Sequence, residues 1–221
     1  MISSFSELKS KKILVIDTET TGLPETKFNN FCKDRFYPFK QLKKYNKSRM
    51  VQISWTIVEI KLGTKYNVKD YIVKPNNFYV PNSDFHKVTN QIAINKGIDL
   101  VEIIKQLNQD LESSDYIMAH NTWFDMNIIR SEIYRLNLDK SNKILEKSLN
   151  IFNQFEKNNL ILCSGELSKE ILKIKSKYSE GYKMPRLVEF YKHFFGCEFD
   201  NQHDSKFDVI AVVKAMLKSI Y

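Results

Sequence analysis

Residues 13–23 read "ILVIDTETTGL". Four apolar residues run without a polar break into Asp17, Glu19 follows two positions later, and Gly22 interrupts the chain. Extended to "KKILVID" (11–17), the run has the pattern of a central strand covered on both faces, as in a parallel or mixed sheet. On an extended segment the side chains at i and i+2 share a face, so Asp17 and Glu19 point the same way. Two carboxylates side by side are costly unless protonated or bridged by a cation. Two solvated acids at a strand end is the plain alternative, and the pair alone does not decide between them. Hard oxygen donors of this kind suit Mg2+ or Mn2+ rather than zinc.

Outward from this stretch the chain reads as an α/β pattern. "MVQISWTIVEI" (50–60) is a β-branched and aromatic strand, and after the turn "KLGTK" the segment "YNVKDYIVKP" (66–75) reads as its hairpin partner. Leu100, Ile103, Ile104, Leu107 and Leu111 recur at helical spacing. "DYIMAH" (115–120) is a short strand with a second polar end, and Phe124, Ile128, Ile129, Ile133 and Leu136 mark the helix after it. "PRLVEFYKHFFG" (185–196) opens on Pro185 and stops at Gly196, matching helix start and stop chemistry. A last helix carries Val209, Val212, Val213, Met216 and Leu217. Strands followed by alternating strands and helices give the α/β class.

Two segments interrupt the pattern and read as insertions on one domain. Residues 24–50 hold eight Lys or Arg against two acids, interleaved with Phe28, Phe31, Phe36, Tyr37, Phe39 and Tyr45. Residues 140–183 hold nine Lys and five Glu. The whole chain, 221 residues with net charge +8, is long enough for one well-buried domain and favours a polyanionic partner such as nucleic acid. Cys32, Cys163 and Cys197 are odd in number and far apart, which offers neither a zinc site nor a disulfide framework and fits a reducing compartment. "MISSFSELKSKK" lacks the apolar run of a signal peptide, and no membrane span is expected. The expectation is a cytoplasmic protein, with a nucleus or a viral factory left open.

More acids stand at element ends. "AHNTWFD" brings Asp125 into the first turn of a helix, where charge complementarity alone is the plain role. "HDSKFD" (203–208) brings His203, Asp204 and Asp208 before the last helix, with Asp204 a candidate cap. Together "DTET" with Asp17 and Glu19, "HNTWFD" with Asp125, and "HDSKFD" with His203 and Asp208 resemble the three motifs of the DEDDh exonucleases. These are 3′–5′ exonucleases of the ribonuclease-H-like fold. "FHKVTNQIA" (85–93) and "PRLVEFYKHFFG" also look like family segments. The likeness covers about residues 11–218 apart from the two insertions. Histidine at 203 separates the chain from the subgroup with tyrosine there. Ser205 stands where the family usually has a small residue, often alanine, and is itself small; the insertions are unusual in length.

The resemblance implies a single exonuclease domain, a ribonuclease-H-like mixed sheet flanked by helices, with insertions at about 24–50 and 140–183. It implies two Mg2+ or Mn2+ ions held by Asp17, Glu19, Asp125 and Asp208, and His203 as general base. The substrate would be single-stranded DNA or RNA at its 3′ end, released as nucleoside 5′-monophosphates. Thr20, Gly22, Leu23, His120, Asn121 and Trp123 would lie against it. Gly22 would admit the terminal nucleotide and Leu23 would wedge its base, unless Leu23 is a core leucine. His120 reads as an orienting residue, Trp123 as a stacking or a core residue, and His86 and His193 as packing or loop residues. The basic, aromatic segment 24–50 is expected to contact the strand being degraded, with a solvated loop over a small satellite core as the alternative. A non-catalytic binding module, or a proofreading subunit of a polymerase, is the competing function. The oligomeric state stays open, a dimer included.

Overall fold

The stretch 13–23 falls in β1 (Lys12–Thr20), which runs on past Asp17 to include both carboxylates. The computed structural model describes residues 2–28, 33–81, 83–140, 142–177 and 180–221, so Phe31 and Cys32 lie outside the described residues. β2 (Met50–Glu59) pairs antiparallel with β1, and β3 (Lys69–Ile72) pairs antiparallel with β2. On the other edge of β1, β4 (Tyr116–Ala119) and then β5 (Ile161–Cys163) run parallel to it. The result is a mixed five-stranded sheet in the order β3-β2-β1-β4-β5. Helices follow in chain order: α1 (Ser83–His86), α2 (Asn90–Lys96), α3 (Leu100–Glu112), α4 (Thr122–Lys140), α5 (Lys143–Lys157), α6 (Ser164–Leu172), α7 (Leu187–Phe195) and α8 (Ser205–Ile220).

The apolar run of β1 is covered on both faces, as its pattern requires. Leu14 and Ile16 pack into a core shared with α3, α4 and α5, whereas Ile13 and Val15 pack with α8, α7 and the short turn Phe5–Leu8. Each such side chain contributes about 1.5–3 kcal/mol by leaving water. The same alternation continues to the end of the strand and sorts its polar residues. Asp17 and Glu19 inherit the face of Ile13 and Val15, toward α8, and Thr18 inherits the face of Leu14 and Ile16, toward α4.

Capping chemistry sets the helix ends beside the sheet. Asp99 accepts from Val101 N at 2.8 Å to open α3, and α7 stops at Gly196, whose φ of +72° lies in the left-handed region. Segment 140–183 supplies α5 to the core against α3 and α4, and β5 to the sheet edge beside β4. Segment 24–50 carries its own packing: Tyr45 is fully buried in the main core and Phe36 is buried, so these two rings hold the segment down. Among the described residues, no helix is long and apolar enough to cross a membrane.

Candidate active site

The two faces of β1 bring the distant acids to its end. α8 packs on the face of Asp17 and Glu19 and presents Asp208 from its first turn; one carboxylate oxygen from each of the three lies within 4.8 Å of the others. α4 packs on the other face and presents Asp125, only 2% exposed. β4 pairs with β1 no further than Val15, which leaves the edge beyond it open. Asp125 Oδ1 fills that edge, accepting from Thr18 N at 3.0 Å and from Thr18 Oγ1 at 2.8 Å. On the opposite edge the register with β2 slips between Glu19 and Thr20, a bulge of the kind that re-aims side chains at a strand end.

Four acids in so small a volume resist ionisation. Burial, then repulsion from Asp125, Asp208 and Glu19, drives Asp17 well above the usual carboxylate range. Burial, then Asp208 and Asp125, raises Glu19 to about 8. Asp125 rises to about 7 through burial, against the lowering effect of the Thr18 hydrogen bonds. Asp208 rises to about 7, again chiefly through burial, although His203 N–H donates to its Oδ2 at 3.2 Å. Among the described residues, no Lys or Arg forms an ion pair with any of the four. A cluster of hard oxygens lacking a protein cation fits a divalent metal ion of the Mg2+ or Mn2+ type.

Asp17 and Asp208 open on a cavity of about 360 Å³ that is also lined by His203, His120, Asn121 and Arg186. His203 is exposed and its backbone is left-handed, with φ +66°. Its ring meets Phe85 of α1 edge-on at 6.4 Å. His120, in contrast, is locked. Its Nε2 lies 2.8 Å from the Pro185 carbonyl and must donate to it, so Nδ1 accepts from Ser164 Oγ at 3.0 Å. Burial pushes its pKa down to about 4, and the neutral ring ties the end of β4 to the start of α6 and to the segment before α7. His86 is buried, whereas His193 is exposed.

Other expected substrate contacts have mixed surroundings. Leu23 is 77% exposed, which removes the core-leucine alternative. A Cβ on Gly22 would stand 2.8 Å from the Lys47 carbonyl oxygen, so the chain itself requires glycine there. Thr20 Oγ1 donates to the Gly22 carbonyl at 2.7 Å, inside the turn. Trp123 is half-buried against the main core with Lys33 Nζ 4.6 Å over its ring, and Asn121 lines the cavity from a left-handed backbone.

A polar network behind the site has no signature in the sequence. Gln52 Nε2 donates to Asp70 at 2.9 Å and to Asp204 at 3.0 Å. Ser54 Oγ donates to Asp70 at 2.8 Å, which leaves Ser205 as the donor in its 2.6 Å contact with Ser54. Asp204 also caps α8 through Lys206 N, as its position suggests. These links span β2, β3 and α8 and set where Asp208 stands. Thr18 stands inside the "DTET" motif, but its role as the partner of Asp125 is not legible there, because that partner is distant in sequence and only the packing of α4 supplies it.

No protein-family model matches this chain, and no curated protein matches it. Solved structures do. The E. coli exonuclease I complex with a dA16 oligonucleotide matches with TM-score 0.60 at 17% identity, over 94% of this chain and 40% of that one. The zinc-bound E. coli exonuclease I complex with single-stranded DNA gives TM-score 0.61 at 17% identity, over the same shares. Exonuclease I from the moderately thermophilic Methylocaldum szegediense gives TM-score 0.61 at 17% identity, also over 94% and 40%. The chain therefore spans about two fifths of the length of these structures, and what it shares with them is the ribonuclease-H-like fold: a mixed sheet flanked by helices.

Proposed function

We propose that this chain is a metal-dependent 3′–5′ exonuclease domain that hydrolyses single-stranded DNA or RNA from the 3′ end and releases nucleoside 5′-monophosphates. The observation that carries this reading is the convergence of four desolvated acids at the end of β1, without a basic partner among the described residues, two of which, Asp17 and Asp208, line a cavity with the exposed His203. Asp17, Glu19 and Asp208 would hold one ion, and Asp17 with Asp125 a second. When bound, such ions neutralise phosphate oxygens and strengthen water as a nucleophile. The chain supplies the rest. Thr18 fixes Asp125, and Glu19 brings a carboxylate oxygen within 4.8 Å of those of Asp17 and Asp208. His203, exposed and lining the same cavity as Asp17 and Asp208, would take the proton of the attacking water, a task that suits an imidazole. The 3′-oxygen of the penultimate nucleotide leaves as the phosphate–oxygen bond breaks.

The test is hydrolysis of 5′-labelled and 3′-labelled DNA and RNA oligonucleotides, single- and double-stranded, with Mg2+, Mn2+ or chelator. The expected result is mononucleotide release from the 3′ end, dependent on the cation and lost in Asp17→Ala. An Asp17→Ala protein that hydrolyses normally, or cuts from the 5′ end, overturns the reading. Oligonucleotide binding without hydrolysis under every condition would favour a binding module instead.

A further inference from the structure

The cavity at Asp17 and Asp208 does not stand alone. A second cavity of about 300 Å³ shares Asn121 and Met184 with it and adds Trp123 and Lys33. A third, of about 310 Å³, shares Trp123 and Lys33 with the second and runs on to Lys27, Tyr37 and Arg130. Each neighbouring pair has two lining residues in common, so the three lie side by side in a row that leads away from Asp17 and Asp208. Lys27, Lys33 and Tyr37 come from segment 24–50, and the middle cavity is also lined by Glu166 and Lys169 from segment 140–183. The two segments that stand out in the sequence thus meet at the middle cavity.

The chemistry of the far end suits a polyanion. Glu156 is contacted at 2.7 Å by both Lys33 and Arg130, and with Lys27 and Asp34 also lining this cavity three cations face two carboxylates, which leaves one positive charge over. Of the two cations on Glu156, Lys33 is the exposed one, and its ammonium also lies over Trp123, at the junction of two cavities. Lys27 lies 5.8 Å from the centre of the Tyr37 ring. Ammonium groups beside ring faces can follow phosphates and stack bases along a single strand.

We propose that these cavities form one groove, which holds the part of a single-stranded nucleic acid that has not yet been cut, with Lys33 as its central phosphate contact. The direction assigned to the strand, 3′ end at the acids, rests on the exonuclease reading; the groove itself does not. It also shifts the binding role within segment 24–50 away from residues such as Lys44, which does not line these cavities, toward Lys27 and Lys33, which do.

The test is fluorescence anisotropy with 5′-labelled thymidine dinucleotide and decanucleotide in chelator, where no hydrolysis intervenes. Lys33→Glu should weaken the decanucleotide about tenfold more than the dinucleotide and lower the salt slope of decanucleotide binding by about one. Lys43→Glu changes the net charge equally from an exposed position outside the groove and should have no such length-dependent effect. Equal losses at both lengths, the same length effect from Lys43→Glu, or duplex bound as tightly as single strand overturns the proposal. If Lys33→Glu behaves as expected yet no protein hydrolyses, the groove stands and the exonuclease reading falls. If the wild type hydrolyses and Lys33→Glu shows no length-dependent loss, the exonuclease reading stands and the groove falls.

Discussion

His203 combines an exposed imidazole with a backbone conformation that a non-glycine L-residue adopts at a cost of about 1–2 kcal/mol. The hydrogen bond from its N–H to Asp208 offsets part of that cost and couples the loop to the acids. Two roles are therefore superposed at one residue, and two substitutions separate them. His203→Ala removes the imidazole and should lower kcat by about a hundredfold or more while leaving oligonucleotide affinity in chelator near its original value. His203→Asn also removes the imidazole but tolerates the left-handed backbone. Single-turnover rates for both variants separate the roles: equal slowing supports the proton-acceptor role, and recovery in the asparagine variant would leave only a backbone role.

At the level of elements, α8 is held to the sheet by a chain of hydroxyls rather than by apolar contact alone. Ser54 donates to Asp70 and accepts from Ser205, both serines being fully buried. Ser54→Ala strands the Ser205 hydroxyl and should cost about 1–3 kcal/mol, whereas Ser205→Ala strands no donor and should cost less. The double variant should be less destabilised than the two single effects added together, and urea unfolding of all three measures it. Strict additivity would mean that the two hydroxyls act independently. This pair also shows where reading from sequence stops. β1, β2, α3, α4 and α8 announce themselves by period and run length, and the three acidic motifs mark their own places. β5 does not, because three residues are too few for any periodicity, and so segment 140–183 reads as an insertion although it completes the sheet edge. The aromatic residues of 24–50 suggest base stacking in sequence, but whether a ring faces a base or a core depends on the element beneath it. Tyr45 and Phe36 face inward. Gly22 reads as room for substrate, yet the atom that demands it is the Lys47 carbonyl, distant in sequence.

For the molecule as a whole, the four raised acids predict how stability follows pH. In the unfolded chain they release their protons near pH 4, and in the fold they hold them to about 7 for Asp125 and Asp208 and about 8 for Glu19. A folded state that binds more protons than the unfolded one loses stability as pH rises, so without a divalent cation the protein should weaken from about pH 4 through about pH 8. A cation binds the ionised form, so the rise in Tm given by Mn2+ over chelator should be larger at about pH 8 than at about pH 6. Thermal unfolding checks this, and an equal rise at both values would show that the acids are not its binding site. The strand end beside these acids also bears on how the domain can diversify. Thr21 N donates to the Arg49 carbonyl and Arg49 N donates to Thr21 Oγ1, both at 2.8 Å, which closes residues 22–48 at their base as a clasp closes a necklace. Doubling a closed loop costs only about 0.6 kcal/mol in entropy. Provided that Tyr45 and Phe36 keep their places in the core, added length between the clasp residues costs little, while the acids on the strand behind it stay where they are.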